Sequence, residues 1–267
     1  MIGTAVEIRR RERVATVVLN RPHSNAMSEQ LMLDLAGAFQ ELERDPDVRV
    51  ILLASAFEGV FFSVGIDLDL VSAFDRTAPD AEAQIVDIFT RMGTCFEIVA
   101  GCPKPVVAAI YGHALGGGCE LALCCDYRVM VEDGRSRIGL TEVQLGLMPA
   151  DGATQRLPRL IGLARAIPLL YEGRRLAARE AEQIGLVTAV APAEFQPALE
   201  DLTSRLAKGS PRAYALIKDA VRRGLELPLE AGLSLERENF ARACLSEDAV
   251  IGVSSFLTGQ EPDFSGR

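Results

Sequence analysis

The chain has 267 residues, 49% hydrophobic and 24% charged, with a formal net charge of −9. That length suits one large domain, or one domain with a smaller appendage, and the composition excludes a disordered chain. The acidic balance excludes binding nucleic acid through a general electrostatic field, and no run of about 18 apolar residues provides a transmembrane helix.

Residues 5–10 and 14–19 read as two strands, the second being the β-branched VATVVL. The preceding start, MIGTAVEIRRRER, lacks the apolar stretch of a signal peptide, so a cytoplasmic location is expected. Ser28 is placed to cap a helix to about Arg44, with Met32, Leu35, Phe39 and Leu42 on its apolar face. VRVILLAS (48–55) has the continuous apolar character of a strand buried on both faces. An amphipathic helix is expected over 80–100. The stretch PVVAAIYG (105–112) then reads as a strand, ALGGGCELALCC (114–125) as a glycine-rich turn opening a helix, and 127–131 as a short strand. Helices follow over 153–171 in two pieces, 177–184 and 194–208, with VTAV (187–190) as a strand. After Gly209-Ser210-Pro211 the pattern is wholly helical: 211–223, 228–243 and 246–258. The charge divides at the same place. Residues 1–202 carry 19 basic and 28 acidic side chains, whereas 203–267 carry nine of each. A mixed β/α body over 1–202 and a neutral helical module over 203–267 are therefore expected.

The six cysteines show no paired CxxC spacing and read as buried reduced thiols, with no disulfide and no metal site. The two histidines, His23 and His113, have no partner spacing for a triad or a metal.

Chemistry concentrates in three stretches. FFSVGIDL (61–68) and GGGCE (116–120) both read as loops leaving the ends of apolar strands, where open β/α sheets place ligands. The third is Leu140-Thr141-Glu142. A triple glycine serves tight packing, or else lets backbone amides at a helix start approach a phosphate or an oxyanion. It is neither a GxGxxG fingerprint nor a GxxxxGK[ST] loop. Glu120 lies in the apolar run CELALCC, where a lone carboxylate is paired, a cap, or functional. Two carboxylates beside an amide-lined loop fit acid–base chemistry on an activated carbonyl compound.

These stretches, with Asn20-Arg21-Pro22, Asn25-Ala26-Met27, KPVVAAIYGHALGGGCELALCCDYRV (104–129), LTEVQLGLMP (140–149), TQRLPRLIG (154–162), AEQIGLVTAV (181–190) and SEDAVIGVSSFLTGQEPDF (246–264), resemble the crotonase superfamily, the enoyl-CoA hydratase/isomerase family. The resemblance implies an α/β fold, a spiral of ββα units, with a C-terminal helical region that forms trimers or dimers of trimers. It implies an acyl-CoA substrate, with no cofactor beyond the coenzyme A of the substrate itself and neither a nucleic-acid nor a membrane partner. By motif position, the Val64 and Gly117 amides would form the oxyanion hole and Glu120 and Glu142 the acid–base pair. Arg21, Asn25, Ala26, Ser63, Gly65, Ile66, Asp67, Leu68 and Gly116 would contact the thioester or the CoA. Retention of both glutamates favours hydration of a trans-2-enoyl-CoA over isomerase, decarboxylase or thioester-hydrolase chemistry.

The sequence also departs from the family pattern. Asp151 lies near the expected acyl pocket; it reads as a solvated turn or as the N-cap of the helix starting near Ala153, and otherwise as a polar recognition group. Val64 replaces a common alanine. Asp69 and Gln260-Glu261 stand where lysines are common, so weak contacts to the CoA phosphates are expected.

Overall fold

The computed structural model describes residues 5–267; the first four residues of the MIGTAVEIRRRER stretch lie outside the described residues. A six-stranded sheet forms the centre. Its order is β1 (Val6–Arg11), β2 (Val14–Leu19), β3 (Val50–Ser55), then β5 (Val106–Ile110), β7 (Tyr127–Val131) and β10 (Ala189–Ala191). Between β3 and β5 in the chain come the short strand β4 (Val60–Ser63) and two helices, α2 (Leu68–Ser72) and α3 (Ala81–Gly101). Within this sheet, among the described residues, only the β1–β2 hairpin is antiparallel; the other neighbours run parallel. Parallel neighbours need crossovers, and the apolar, β-branched strands they leave are buried on both faces. Val17, Ile51, Leu53 and Ala108 face the main core with Phe39 of α1 (Glu29–Arg44) and Phe96 of α3. Val50, Val107 and Val129 face the other side, under Phe195 and Leu199 of α8 (Phe195–Lys208).

The amphipathic reading of α1 is realised: Ser28 accepts from the Leu31 amide, and Met32, Leu35, Phe39 and Leu42 are buried. Five cysteines are buried and Cys244 is exposed. Burial pushes the thiols of Cys95 and Cys124 up to about 12, which keeps them protonated and unreactive.

A second sheet was not visible in the residue pattern. Its order is β4, β6 (Gly112–Leu115), β8 (Ile138–Gly139) and β9 (Arg175–Leu176). FFSVGIDL is thus not wholly a loop, since Phe61–Ser63 belong to β4. PVVAAIYG is not one strand either. It ends at Ile110, and Gly112 begins β6 in the other sheet. Gly112 has φ +127°, and a Cβ there would stand 2.4 Å from the Phe61 nitrogen, so the crossing between sheets needs glycine.

After β6 come α4 (Gly117–Cys124) and, beyond β8, a single 3-10 turn at Glu142–Leu145. Next are α5 (Ala153–Ile161), α6 (Leu163–Glu172) and α7 (Ala178–Gln183). The last three helices are α9 (Pro211–Gly224), α10 (Leu229–Cys244) and α11 (Glu247–Thr258). α9 is tied to the body by Lys218 and Arg222, which donate to the two Asp126 oxygens at 2.7 and 3.0 Å. The C-terminal tail returns to the core: Arg49 donates to the Phe264 carbonyl, and Asp248 accepts from the Ser265 and Gly266 amides. Among the described residues no helix is long and apolar enough to cross a membrane.

Candidate active site

A cavity of about 740 Å³ opens where the two sheets hand the chain to α2 and α4. Parallel pairing of β4 with β6 sets its geometry. Phe61 lies opposite His113 and Ser63 opposite Ala114, so the backbones leaving both strands emerge side by side. Those exits carry Val64-Gly65 and Gly116-Gly117.

Each glycine here has a steric reason. A Cβ on Gly65 (φ +106°) would stand 3.2 Å from the Gly117 nitrogen and cover that amide. A Cβ on Gly116 would stand 3.2 Å from Glu142 Oε1, and one on Gly118 would collide with the Ser63 carbonyl at 2.2 Å. Gly117 is the first residue of α4, so its N–H has no acceptor within the helix and lies at the positive end of the dipole. The Val64 N–H donates to the Ser24 carbonyl at 3.2 Å, and an incoming oxygen would have to share or displace that bond.

Glu120 is 3% exposed, and its Oε1 accepts from the Asp151 and Ala153 amides at 3.0 and 2.9 Å. Burial pushes its pKa up to about 8. The Asp151 and Glu142 charges push the same way, and the Ala153 and Asp151 amides partly oppose them. Glu142 is buried at the start of the 3-10 turn, with Oε2 unpartnered among the described residues; burial raises its pKa as well.

Asp151 is neither a solvated turn residue nor a helix cap. It is 8% exposed, the N-cap position of α5 belongs to Gly152, and no side chain caps that helix. Its Oδ1 is buried without a partner among the described residues, and burial raises its pKa to about 6, with Arg156 pulling down and Glu142 pushing up. From α3, Gly93 comes close to this carboxylate, a Cβ there standing 3.7 Å from Oδ1, a contact that local composition does not reveal.

Of the remaining expected contacts, Ala26, Gly65, Ile66, Asp67, Leu68 and Gly116 line the cavity. Arg21 lines it too, but its guanidinium is engaged with Asp67 and the Ala26 carbonyl. Asn25 and Ser63 are fully buried behind the wall. Asn25 donates to Ser55 Oγ and the Phe62 carbonyl, and Ser63 Oγ donates to the Asn25 carbonyl. They hold the loop from behind and are not in the cavity wall. His23 and Arg76 line the cavity, His113 does not, and Asp69 stands among the lining residues. Arg76 went unremarked in the sequence because it lies in a polar connection without a motif.

The family model for enoyl-CoA hydratase/isomerase matches residues 9–267. The chain belongs to the enoyl-CoA hydratase/isomerase family. It is 36% identical to the 2,3-dehydroadipyl-CoA hydratase of Escherichia coli K12 over 97% of this chain and 98% of that one. It is 33% identical to the crotonyl-CoA hydratase of Syntrophomonas wolfei over 97% of each. Among solved structures, the enoyl-CoA hydratase from Bacillus anthracis superposes with a TM-score of 0.90 at 32% identity, over 98% of this chain and all of that one. The two-sheet body with its C-terminal helices is thus the crotonase fold.

Proposed function

We propose that the chain hydrates trans-2-enoyl-CoA thioesters to 3-hydroxyacyl-CoA. The observation that carries this reading is that Glu120 and Glu142 line one cavity with the Gly117 amide, and Glu142 Oε1 lies beside Gly116. The thioester oxygen accepts from the Gly117 and Val64 amides, which stabilise the charge that builds there as an enolate forms; removing one such donor typically costs about 10²–10³ in rate. Glu120 and Glu142 hold a water between them. As its hydroxide adds to C3, the water's proton passes to the Glu120 carboxylate, Glu142 delivers a proton to C2, and proton return from Glu120 to Glu142 resets the pair. Burial raises both carboxyls, Glu120 to about 8, which suits Glu120 to exchanging protons near neutral pH and favours the protonated form of Glu142 relative to an exposed carboxyl. CoA enters with the substrate and no separate cofactor takes part. Arg21 positions the Asp67 loop, and Asn25 and Ser63 buttress it.

The domain roles follow: 1–202 forms the thioester site and 203–267 the oligomerisation region. Leu245, Phe256 and Leu257 of that region are 89%, 87% and 78% exposed, an apolar surface suited to a homotrimer or a dimer of trimers. A soluble thioester substrate fits a cytoplasmic enzyme.

The test is loss of the conjugated enoyl absorbance on an enoyl-CoA panel of different chain lengths, with product masses. Hydration gives a product heavier by one water. A product of unchanged mass would instead support double-bond isomerisation, a second reading that the third carboxylate, Asp151, favours. Decarboxylation or thioester hydrolysis would show as loss of CO₂ or of free CoA. No turnover by folded protein on any chain length would refute the proposal.

A further inference from the structure

The proposed hydration uses two carboxylates, Glu120 and Glu142, and a further one, Asp151, lines the same cavity next to them. Asp151 follows directly on the apolar 147–150 segment, beside Glu120. Its own amide anchors Glu120 Oε1, while its carboxylate receives no hydrogen bond from any described residue. The nearest cation does not serve it. Arg156 spends Nη1 on the Asp151 backbone carbonyl at 2.8 Å and Nη2 on Glu97 at 2.6 Å. From α3, Gly93 faces the carboxylate: a Cβ there would stand 3.7 Å from Oδ1, and glycine brings no donor. Ile85, Phe89, Leu147 and Met148 add apolar lining to the same cavity.

An unpaired buried carboxylate is costly, and an apolar acyl chain laid against it would make it costlier by excluding water. A second carboxylate at the end of an acyl chain would be repelled. A hydroxyl would satisfy it, and with a pKa of about 6 the group is mostly an acceptor at neutral pH.

We propose that Asp151 is a specificity-determining residue, and that this site takes 2-enoyl-CoA thioesters whose acyl chain carries a hydroxyl hydrogen-bond donor. The inference rests on the hydratase reading. It adds the substrate class: hydroxylated acyl groups accepted, carboxylated ones refused.

The test compares trans-2-hexenoyl-CoA, its 4-, 5- and 6-hydroxy derivatives, and the analogue with a terminal carboxylate. Wild type is expected to favour at least one hydroxylated substrate in kcat/KM by about 10- to 100-fold, the range of a hydrogen bond to a charged group. Asp151→Ala should abolish that preference and narrow the gap to the carboxylated substrate. Asp151→Asn, which keeps an acceptor oxygen, should retain part of it. Calorimetric binding of hexanoyl-CoA and the hydroxyhexanoyl-CoAs tests recognition independently of turnover, with the same ordering expected. Equal kcat/KM and equal affinity across the panel in wild type would overturn the proposal. So would an Asp151→Ala enzyme, folded by circular dichroism, that loses the same factor on every substrate. Absence of turnover with selective binding intact would overturn the hydratase reading and leave the recognition role supported.

Discussion

Glu120 couples function to stability in a way that can be measured. Its carboxyl has an ordinary value of 4.5 and about 8 in the folded chain, principally because it is removed from water. Between those values the folded state binds more protons at this site than the unfolded state does. Stability therefore falls as pH rises through the window, and the penalty is complete above about pH 8. At about 1.36 kcal/mol per pH unit, the ceiling is roughly 5 kcal/mol. Glu120→Gln removes the titration but keeps an amide oxygen to accept from the Asp151 and Ala153 amides. The variant should match wild type in stability near pH 4.5, exceed it progressively to pH 8, and hold a constant gain of about 2–5 kcal/mol above that. Urea unfolding at pH 5, 7 and 9, at one fixed protein concentration, reads this directly. The same protein should have lost most hydration activity. A variant less stable than wild type at pH 9, or a difference that ignores pH, would refute the reasoning.

Gly65→Ala should fold with a loss of about 1–3 kcal/mol, from its φ of +106°, and should lose about 10²–10³ in kcat by covering the Gly117 amide; near-wild-type kcat would show that this amide is not used. The KM for the CoA ester should change less than about twofold between about 0.05 and 0.3 M salt. Arg21 is spent on Asp67 and Asp69 stands nearby, so a steep rise would mean that Arg76 or another cation meets the phosphates. Phe256→Glu with Leu257→Glu should lower the solution mass measured by light scattering, with the site geometry and the α9 anchor on Asp126 unaffected.

The central sheet and the longer helices were legible because their signals are long, whereas the five-residue α2 and the 3-10 turn at Glu142–Leu145 were not expected. α1 carries four apolar residues at helical spacing after a serine cap, and β3 and β5 are unbroken apolar runs. The second sheet was not, because β8 and β9 have two residues each and β4 and β6 have four, too short for a period-two pattern to show. Gly116-Gly117, Glu120 and Glu142, singled out in the sequence, line one cavity. Of the readings open to Asp151, the structure removes the solvated turn and the helix cap and leaves the polar group lining that cavity. Asn25 and Ser63, expected to contact the substrate, are fully buried behind the cavity wall, since sequence motifs do not distinguish a wall from its buttress.

The β4–β6 ladder has a further consequence for how such a chain can change. The amides of Val64 and Gly117 follow the ends of two paired parallel strands, so main-chain pairing brings them to the same end of the sheet. Glu120 and Glu142, in contrast, are side chains on α4 and on the 3-10 turn, and Asp151 is one on the segment before α5. On the proposed reading, the grip on the electrophile belongs to the main chain, whereas the outcome rests on exchangeable side-chain tips. A substitution at one of those tips is then expected to change the reaction or its substrate before it weakens the hold on the thioester.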